Sequence, residues 1–238
     1  MKSNTYILSI ETATNLCTVS LANHGETLFS IVGEEPNLHA TKLTVFVQEV
    51  VERAGLTFAD LSAIAVSKGP GSYTGLRIGV STAKGLCYAL DIPLIANNSL
   101  EALVAGYMEK SDRDLDGEVL LCPMIDARRR EVYTALFDAH GRELSETHAL
   151  IVDETTFDSY LEQGKQLILF GSGADKFAET FAHIPAITVV PAFESLASHQ
   201  DRMAYAKFQA AAFEDVAYFE PFYLKDFVAT TPKKSPLL

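Results

Sequence analysis

Basic residues are scarce in this 238-residue chain: 19 Lys and Arg stand against 31 Asp and Glu, a formal net charge of −12. A surface of that sign repels polyanions, because nucleic-acid affinity rests mostly on phosphate neutralisation by Lys and Arg. If RNA is involved, another subunit must supply most of the basic surface. Cysteine is sparse too, with Cys17, Cys87 and Cys122 far apart and no C-x-x-C pair. That argues against a zinc site or a disulfide framework and for a reducing compartment. Long apolar runs are missing near the start: Met1 to Thr5 is polar, and YILSI is too short for a signal core or a membrane span. A soluble, cytoplasmic protein is expected. None of the six histidines has another four residues on, so the one-face imidazole pair of a helix-borne metal site is lacking.

Core material, by contrast, is plentiful. Hydrophobic residues make up 48% and charged ones 21%, which fits a globular protein. The length favours two lobes. Alternating apolar residues in TYILSIE, CTVSLAN and TLFSIV predict three strands in a meander, turning through Asn23 to Glu26. A helix follows from about Leu38 to Ala54, then the strand LSAIAVS, a helix from Thr74 to Leu90, the strand IPLIA and the helix SLEALVAGYME with Ser99 as N-cap. The second half reads EVLLCPMID, EVYTALFD and LSETHALIV as strands. Helix DETTFDSYLEQ, strand QLILFG, helix ADKFAETFA, strand ITVV and a long helix from Ser195 to Asp215 complete it. Both halves therefore spell βββαβαβα, an α/β class of two duplicated lobes of the actin, sugar-kinase and Hsp70 (RNase H-like) type, by analogy of order alone. The lobes are placed at 1–110 and 111–238, divided by the charged EKSDRDLDG. The last helix is placed to pack back toward the first lobe, with a flexible tail at 230–238.

Five of the 14 glycines fall in SKGPGSYTGLRIGVSTAKGL, Ser67 to Leu86. Gly69, Gly71 and Gly75 spell G-x-G-x-x-x-G, one residue longer than the dinucleotide fingerprint, and Gly75-Leu76-Arg77 lacks the ending of a P-loop. What is left is a tight turn into a helix capped by Ser72 or Thr74, on whose amides an anion could sit. Leu76, Val80, Ala83, Cys87 and Leu90 form the stripe for the lobe's own sheet. Beside it run Gly75, Gly79, Thr82 and Leu86. A helical glycine costs about 1 kcal/mol relative to alanine, so bare backbone here is expected to admit another helix, from the same lobe or from a second chain.

GPGSYTGLRIGVSTAKGL, with ILSIETATNLCTVSL at the start and IDARRREVYTALF in the second lobe, resembles the bacterial TsaB family, also called YeaZ, over essentially the whole chain. The resemblance implies a non-catalytic subunit of the machinery that makes N6-threonylcarbamoyladenosine beside the anticodon of tRNAs reading codons that begin with A. It implies dimerisation with TsaD, engagement of the ATPase TsaE, self-association through much the same surface, and functional dependence on a TsaC-type enzyme. Contact with tRNA would be indirect. No cofactor of its own is implied, with ATP or ADP and a metal ion expected in the partner proteins. The implied interface is Leu43, Phe46, Val47 and Val50 on the first helix and Gly75, Leu76, Arg77, Gly79, Val80, Thr82, Ala83 and Leu86 on the second.

The residues bear on catalysis as well. His39 stands where the catalytic relative carries a His-x-x-x-His pair, but Leu43 follows four residues later, and one imidazole is a poor metal site. Glu11 and Asp126 end the first strand of each lobe and are expected to face one another across the cleft. With Thr12, Arg128, Gly171 and Gly173 they make a candidate vestigial cleft. The glycines of a phosphate hairpin are missing there: Thr12-Ala13-Thr14 follows Glu11, and Ala127-Arg128-Arg129-Arg130 follows Asp126. Arg128 is read as ordering the cleft or contacting a partner, and tRNA contact by Arg128, Arg129 and Arg130 stays open. Two alternatives remain: an ATP-dependent phosphotransferase or hydrolase using Glu11 and Asp126, and a glycoprotease-like metallopeptidase.

Overall fold

The first three strands carry apolar residues at alternate positions and are joined by connections too short for a crossover, so they fold as an antiparallel meander. The computed structural model describes residues 4–33, 38–111, 115 and 117–225. In it β1 (Tyr6–Glu11) pairs with β2 (Cys17–Asn23), and β2 with β3 (Glu26–Gly33). The two-residue turn at His24 and Gly25 has φ of 52° and 82°, the mirror-image form that matches strand twist. Then come α1 (His39–Arg53), β4 (Leu61–Gly69), α2 (Tyr73–Leu90), β5 (Leu94–Asn98) and α3 (Ser99–Lys110). The crossover helices bring β4 and β5 in parallel, giving the order β3-β2-β1-β4-β5.

The second sheet repeats that plan. It is built from β6 (Val119–Asp126), β7 (Glu131–Thr134), β8 (Phe137–Asp138), β9 (His148–Ile151), β10 (Gln166–Phe170) and β11 (Ile187–Val189), in the order β11-β10-β6-β7-β9 with β8 on β6. The expected single strand EVYTALFD is broken in two. Its register against β6 is unchanged across the gap, where Pro123 of β6 has no N–H to give the ladder.

Helices of the second half are shorter than their sequence patterns predict. Only Asp158–Glu162 of DETTFDSYLEQ is helical (α4), because Asp153 accepts from the Thr155 N–H and hydroxyl at 2.9 Å and holds the first turn outside the helix. ADKFAETFA divides into a 3-10 turn and α5 (Ala178–Phe181). The helix expected over Ser195 to Asp215 is a 3-10 turn, Ala197–Gln200, followed by α6 (Asp201–Gln209). The Ala197 N–H is tied to the Thr18 hydroxyl at 2.8 Å, and Ala211 turns the chain away at φ 52°. Asn98, one residue before the expected Ser99, caps α3 by accepting from the Leu100 N–H at 2.8 Å.

Strand alternation assigns the layers. Leu8, Ile10, Val19, Leu21, Ile64 and Val66 face α1 and α2, whereas Ile7, Ala63, Ala65 and Ile95 face Ala204 of α6. In the second sheet Val119, Leu121 and Ile125 pack on Leu100, Leu103, Val104 and Tyr107 of α3. Leu120, Cys122 and Met124 pack on Phe157, Phe177 and Phe181. Each half thus lends its last helix to the other's sheet. Residues 230–238 and part of the charged stretch at 110–117 lie outside the described residues. Among those described, no helix is long and apolar enough to cross a membrane.

Candidate functional site: the cleft and the outer helix faces

The glycine-rich stretch resolves first. β4 ends at Gly69, and Ser72 caps α2 by accepting from the Gly75 N–H at 3.2 Å. Gly71, Gly75 and Gly79, four residues apart, lie in a row beneath the chain's own Thr12 and Ala13. A Cβ at Gly71 would collide with the Ala13 carbonyl, at Gly75 with the Thr12 carbonyl, and at Gly79 with the Thr12 hydroxyl. The Ser72 N–H reaches the Ala13 carbonyl at 2.7 Å. Gly75 and Gly79 are therefore not bare backbone exposed for a partner. They let the β1–β2 connection settle onto α2 at close range.

Most of the expected interface side chains are likewise spent inside. Leu43, Val47, Val50, Leu76, Val80 and Ala83 are at most 3% exposed, and all but Leu76 belong to the core between α1, α2 and the sheet. Phe46, Thr82 and Leu86 are half-buried, and Arg77 alone of that set is exposed. The outward stripe is different: Thr41, Val45, Gln48 and Glu52 on α1, and Thr74, Arg77, Ser81, Gly85 and Tyr88 on α2. Tyr88 is 86% exposed, and a Cβ at Gly85 would meet nothing within 4 Å. Gly85 falls out of step with the 71, 75, 79 row, which is the signal that could have marked it in the sequence.

Glu11 and Asp126 do not face one another. Glu11 is fully buried; its carboxylate accepts from the Ala13 N–H at 2.6 Å, from the Ser195 hydroxyl at 3.1 Å and from the Ser67 hydroxyl. Burial pushes its pKa up, against the lowering by those donors. It faces the 3-10 turn before α6 because alternation along β1 puts Ile7, Ser9 and Glu11 on that side. Thr12 is also fully buried, against α2. Both residues are thus withdrawn from the cleft.

The cleft itself is a cavity of about 530 Å³ between the lobes. The first lobe contributes Thr14, Asn15 and the start of α2; the second contributes Asp126, Arg128, Tyr133 and Ser172. Asp126 is exposed and paired with Lys176, whose ammonium also donates to the Glu131 carbonyl at 2.7 Å. The β6–β7 turn puts Arg128 and Arg129 at φ 75° and 53°. Arg130 is used within the lobe, donating to the Val152 carbonyl at 2.9 Å and lying over the Phe177 ring. A Cβ at Gly171 or Gly173 would press on the backbone of Met124 or Ile125, so both glycines have a packing role against β6, with Ser172 between them on the cavity wall.

Sequence reading missed a second buried carboxylate. Asp201 accepts from the hydroxyls of Ser9 at 2.7 Å, Ser20 at 2.8 Å and Thr27 at 2.6 Å. The signal was the Ser and Thr at alternate positions of β1 and β2, but the acceptor stands 192 residues from Ser9 in the chain.

A protein-family model described as TsaD, tRNA N6-adenosine threonylcarbamoyltransferase, matches residues 34–235. The chain is 29% identical over 234 residues to the tRNA threonylcarbamoyladenosine biosynthesis protein TsaB of Escherichia coli K12, covering 94% of this chain and 96% of that one. It is 38% identical over 131 residues to the protein of the same name from Bacillus subtilis, 55% of this chain and 54% of that one. The solved structure of YeaZ from Pseudomonas aeruginosa is similar in fold, with a TM-score of 0.75 at 24% identity over 92% of this chain and all of that one.

Proposed function

This chain belongs to the TsaD family of tRNA N6-adenosine threonylcarbamoyltransferases, and from that premise we propose that it works in threonylcarbamoyladenosine biosynthesis as a non-catalytic subunit docking on a TsaD-type enzyme. The TsaB name of its relatives supports the pathway. The observation that carries the non-catalytic reading is the position of Glu11. Its carboxylate is consumed by hydrogen bonds beneath the sheet, so among the described residues Asp126 is the one carboxylate lining the cleft, and it is already paired with Lys176. ATP, the metal ion and most of the tRNA contact then belong to the partners, in keeping with a net charge of −12. A TsaE-type ATPase joins the pair, and a TsaC-type enzyme supplies the activated threonylcarbamoyl group.

The docking surface is the outward stripe of α1 and α2. Gly85 weakens its helix by about 1 kcal/mol and has no neighbour of its own to admit, which fits a helix or loop of another chain approaching there. Tyr88 beside it is the sort of exposed aromatic that anchors interfaces. Mixing the chain with the TsaD-type enzyme should give a complex on gel filtration, and Tyr88→Glu should weaken it at least about tenfold. Unchanged co-elution of a Gly85→Arg, Tyr88→Glu double variant would sink the assignment of this surface. ATP turnover by the chain alone, lost in Asp126→Asn, would favour an enzyme instead.

A further inference from the structure

After α6 the chain runs back along the first lobe. The Glu214 N–H pairs with the Leu94 carbonyl at 2.9 Å, on the edge strand β5. Val216 and Phe219 pack against the core under α1 and α2. Lys84 of α2 donates to the carbonyls of Ala217 at 3.2 Å and Phe219 at 2.9 Å. The Phe222 N–H reaches the Lys68 carbonyl at 2.7 Å, and the Phe222 carbonyl lies 2.6 Å from where a Cβ on Gly69 would stand. Gly69, at φ 113°, is what allows the two backbones to lie together. The Tyr223 ring then packs on Tyr73 with centroids 4.7 Å apart.

Two residues later the segment reaches the other lobe. Lys225 pairs with the Glu131 carboxylate and stands 6.0 Å from the centroid of Tyr133. Residues 222–225 form one wall of the cavity between the lobes. We propose that residues 213–225 are a strap that narrows this cavity from one side, fixed along the first lobe and latched to the second through Lys225. The two ends differ in kind. On the first lobe the strap is held by backbone hydrogen bonds, a half-buried lysine and a tilted pair of tyrosine rings. On the second it is held by a partly exposed ion pair, with side chains 41% and 24% exposed, a weak class of contact that salt screens. Opening therefore begins at Lys225, and the wall at Ser172, half-buried when the latch is made, becomes more accessible in proportion to the time the latch is open.

The native thiols make this testable in the full chain. Cys17, Cys87 and Cys122 are buried, and burial pushes their pKa values up to about 11, 12 and 12, so they react slowly. A Ser172→Cys reporter on the cavity wall can then be labelled with a maleimide. Lys225→Glu in that background should speed labelling about fivefold, and Glu131→Lys combined with Lys225→Glu should restore the slow rate. An unchanged rate in Lys225→Glu overturns the strap. So does a faster rate that the swapped pair leaves in place, or one shared by the native cysteines, which would mean unfolding.

Discussion

Asp201 is 1% exposed, and burial pushes its pKa up to about 6 against the lowering by its three hydroxyl donors. The unfolded chain holds that proton less tightly, so Asp201 adds stability below pH 4 that is lost as pH rises through 6. His199 works the other way: burial, then Lys110, lower its pKa to about 4, so its contribution is present above pH 6.5 and lost as pH falls through 4. The two oppose one another between pH 4 and 6.5. Asp201→Asn should therefore be more stable than the parent at pH 8, by up to about 3 kcal/mol, and lose stability more steeply on acidification. Thermal melts from pH 4 to 8 check this, and a variant less stable at pH 8 would contradict it. In the sequence Asp201 and His199 fall within the helix expected over Ser195 to Asp215, and the hydroxyl partners Ser9 and Ser20 are legible only as strand positions. Alternation along β1 places Ser9 and Glu11 on one face, but nothing local says that the face is covered by the 3-10 turn and helix near position 200.

At the scale of elements, α2 carries two kinds of glycine. Gly79 seats Thr12 and cannot take a Cβ, whereas Gly85 faces open space. Gly79→Ala should destabilise the isolated chain by about 1–3 kcal/mol through overpacking, and Gly85→Ala should stabilise it by about 0.5–1 kcal/mol through helix propensity. Denaturant unfolding of the two variants decides; equal effects would mean that the row has been misassigned. The succession of elements along the chain and the long helices α1 and α2 were readable because their apolar periods are strong. The short helices of the second lobe were not. There Asp153 and Thr18 compete for the backbone groups that a longer helix would use, and such bonds leave little trace in hydrophobic pattern. The glycine row shows the same limit from the other side: spacing gave the groove but not its occupant, because a chain's own Thr12 and a partner helix demand the same missing side chains.

The whole molecule is two copies of one plan that exchange their last helices, α3 to the second sheet and α6 to the first. That exchange puts Glu11 under a roof contributed by residues 195–200, and the strap then crosses the cleft that remains. The proposed docking role draws on an acidic body whose cleft, among the described residues, retains one ion-paired carboxylate, and whose outer helices show Tyr88 and Gly85. The most direct test is threonylcarbamoyl transfer to tRNA by a TsaD-type enzyme with its TsaC- and TsaE-type companions, assayed with and without this chain. Transfer should require the chain, survive Asp126→Asn and fall at least about tenfold with Gly85→Arg and Tyr88→Glu together. Transfer that proceeds without the chain, or that is lost in Asp126→Asn while the docking variant stays active, would contradict the account.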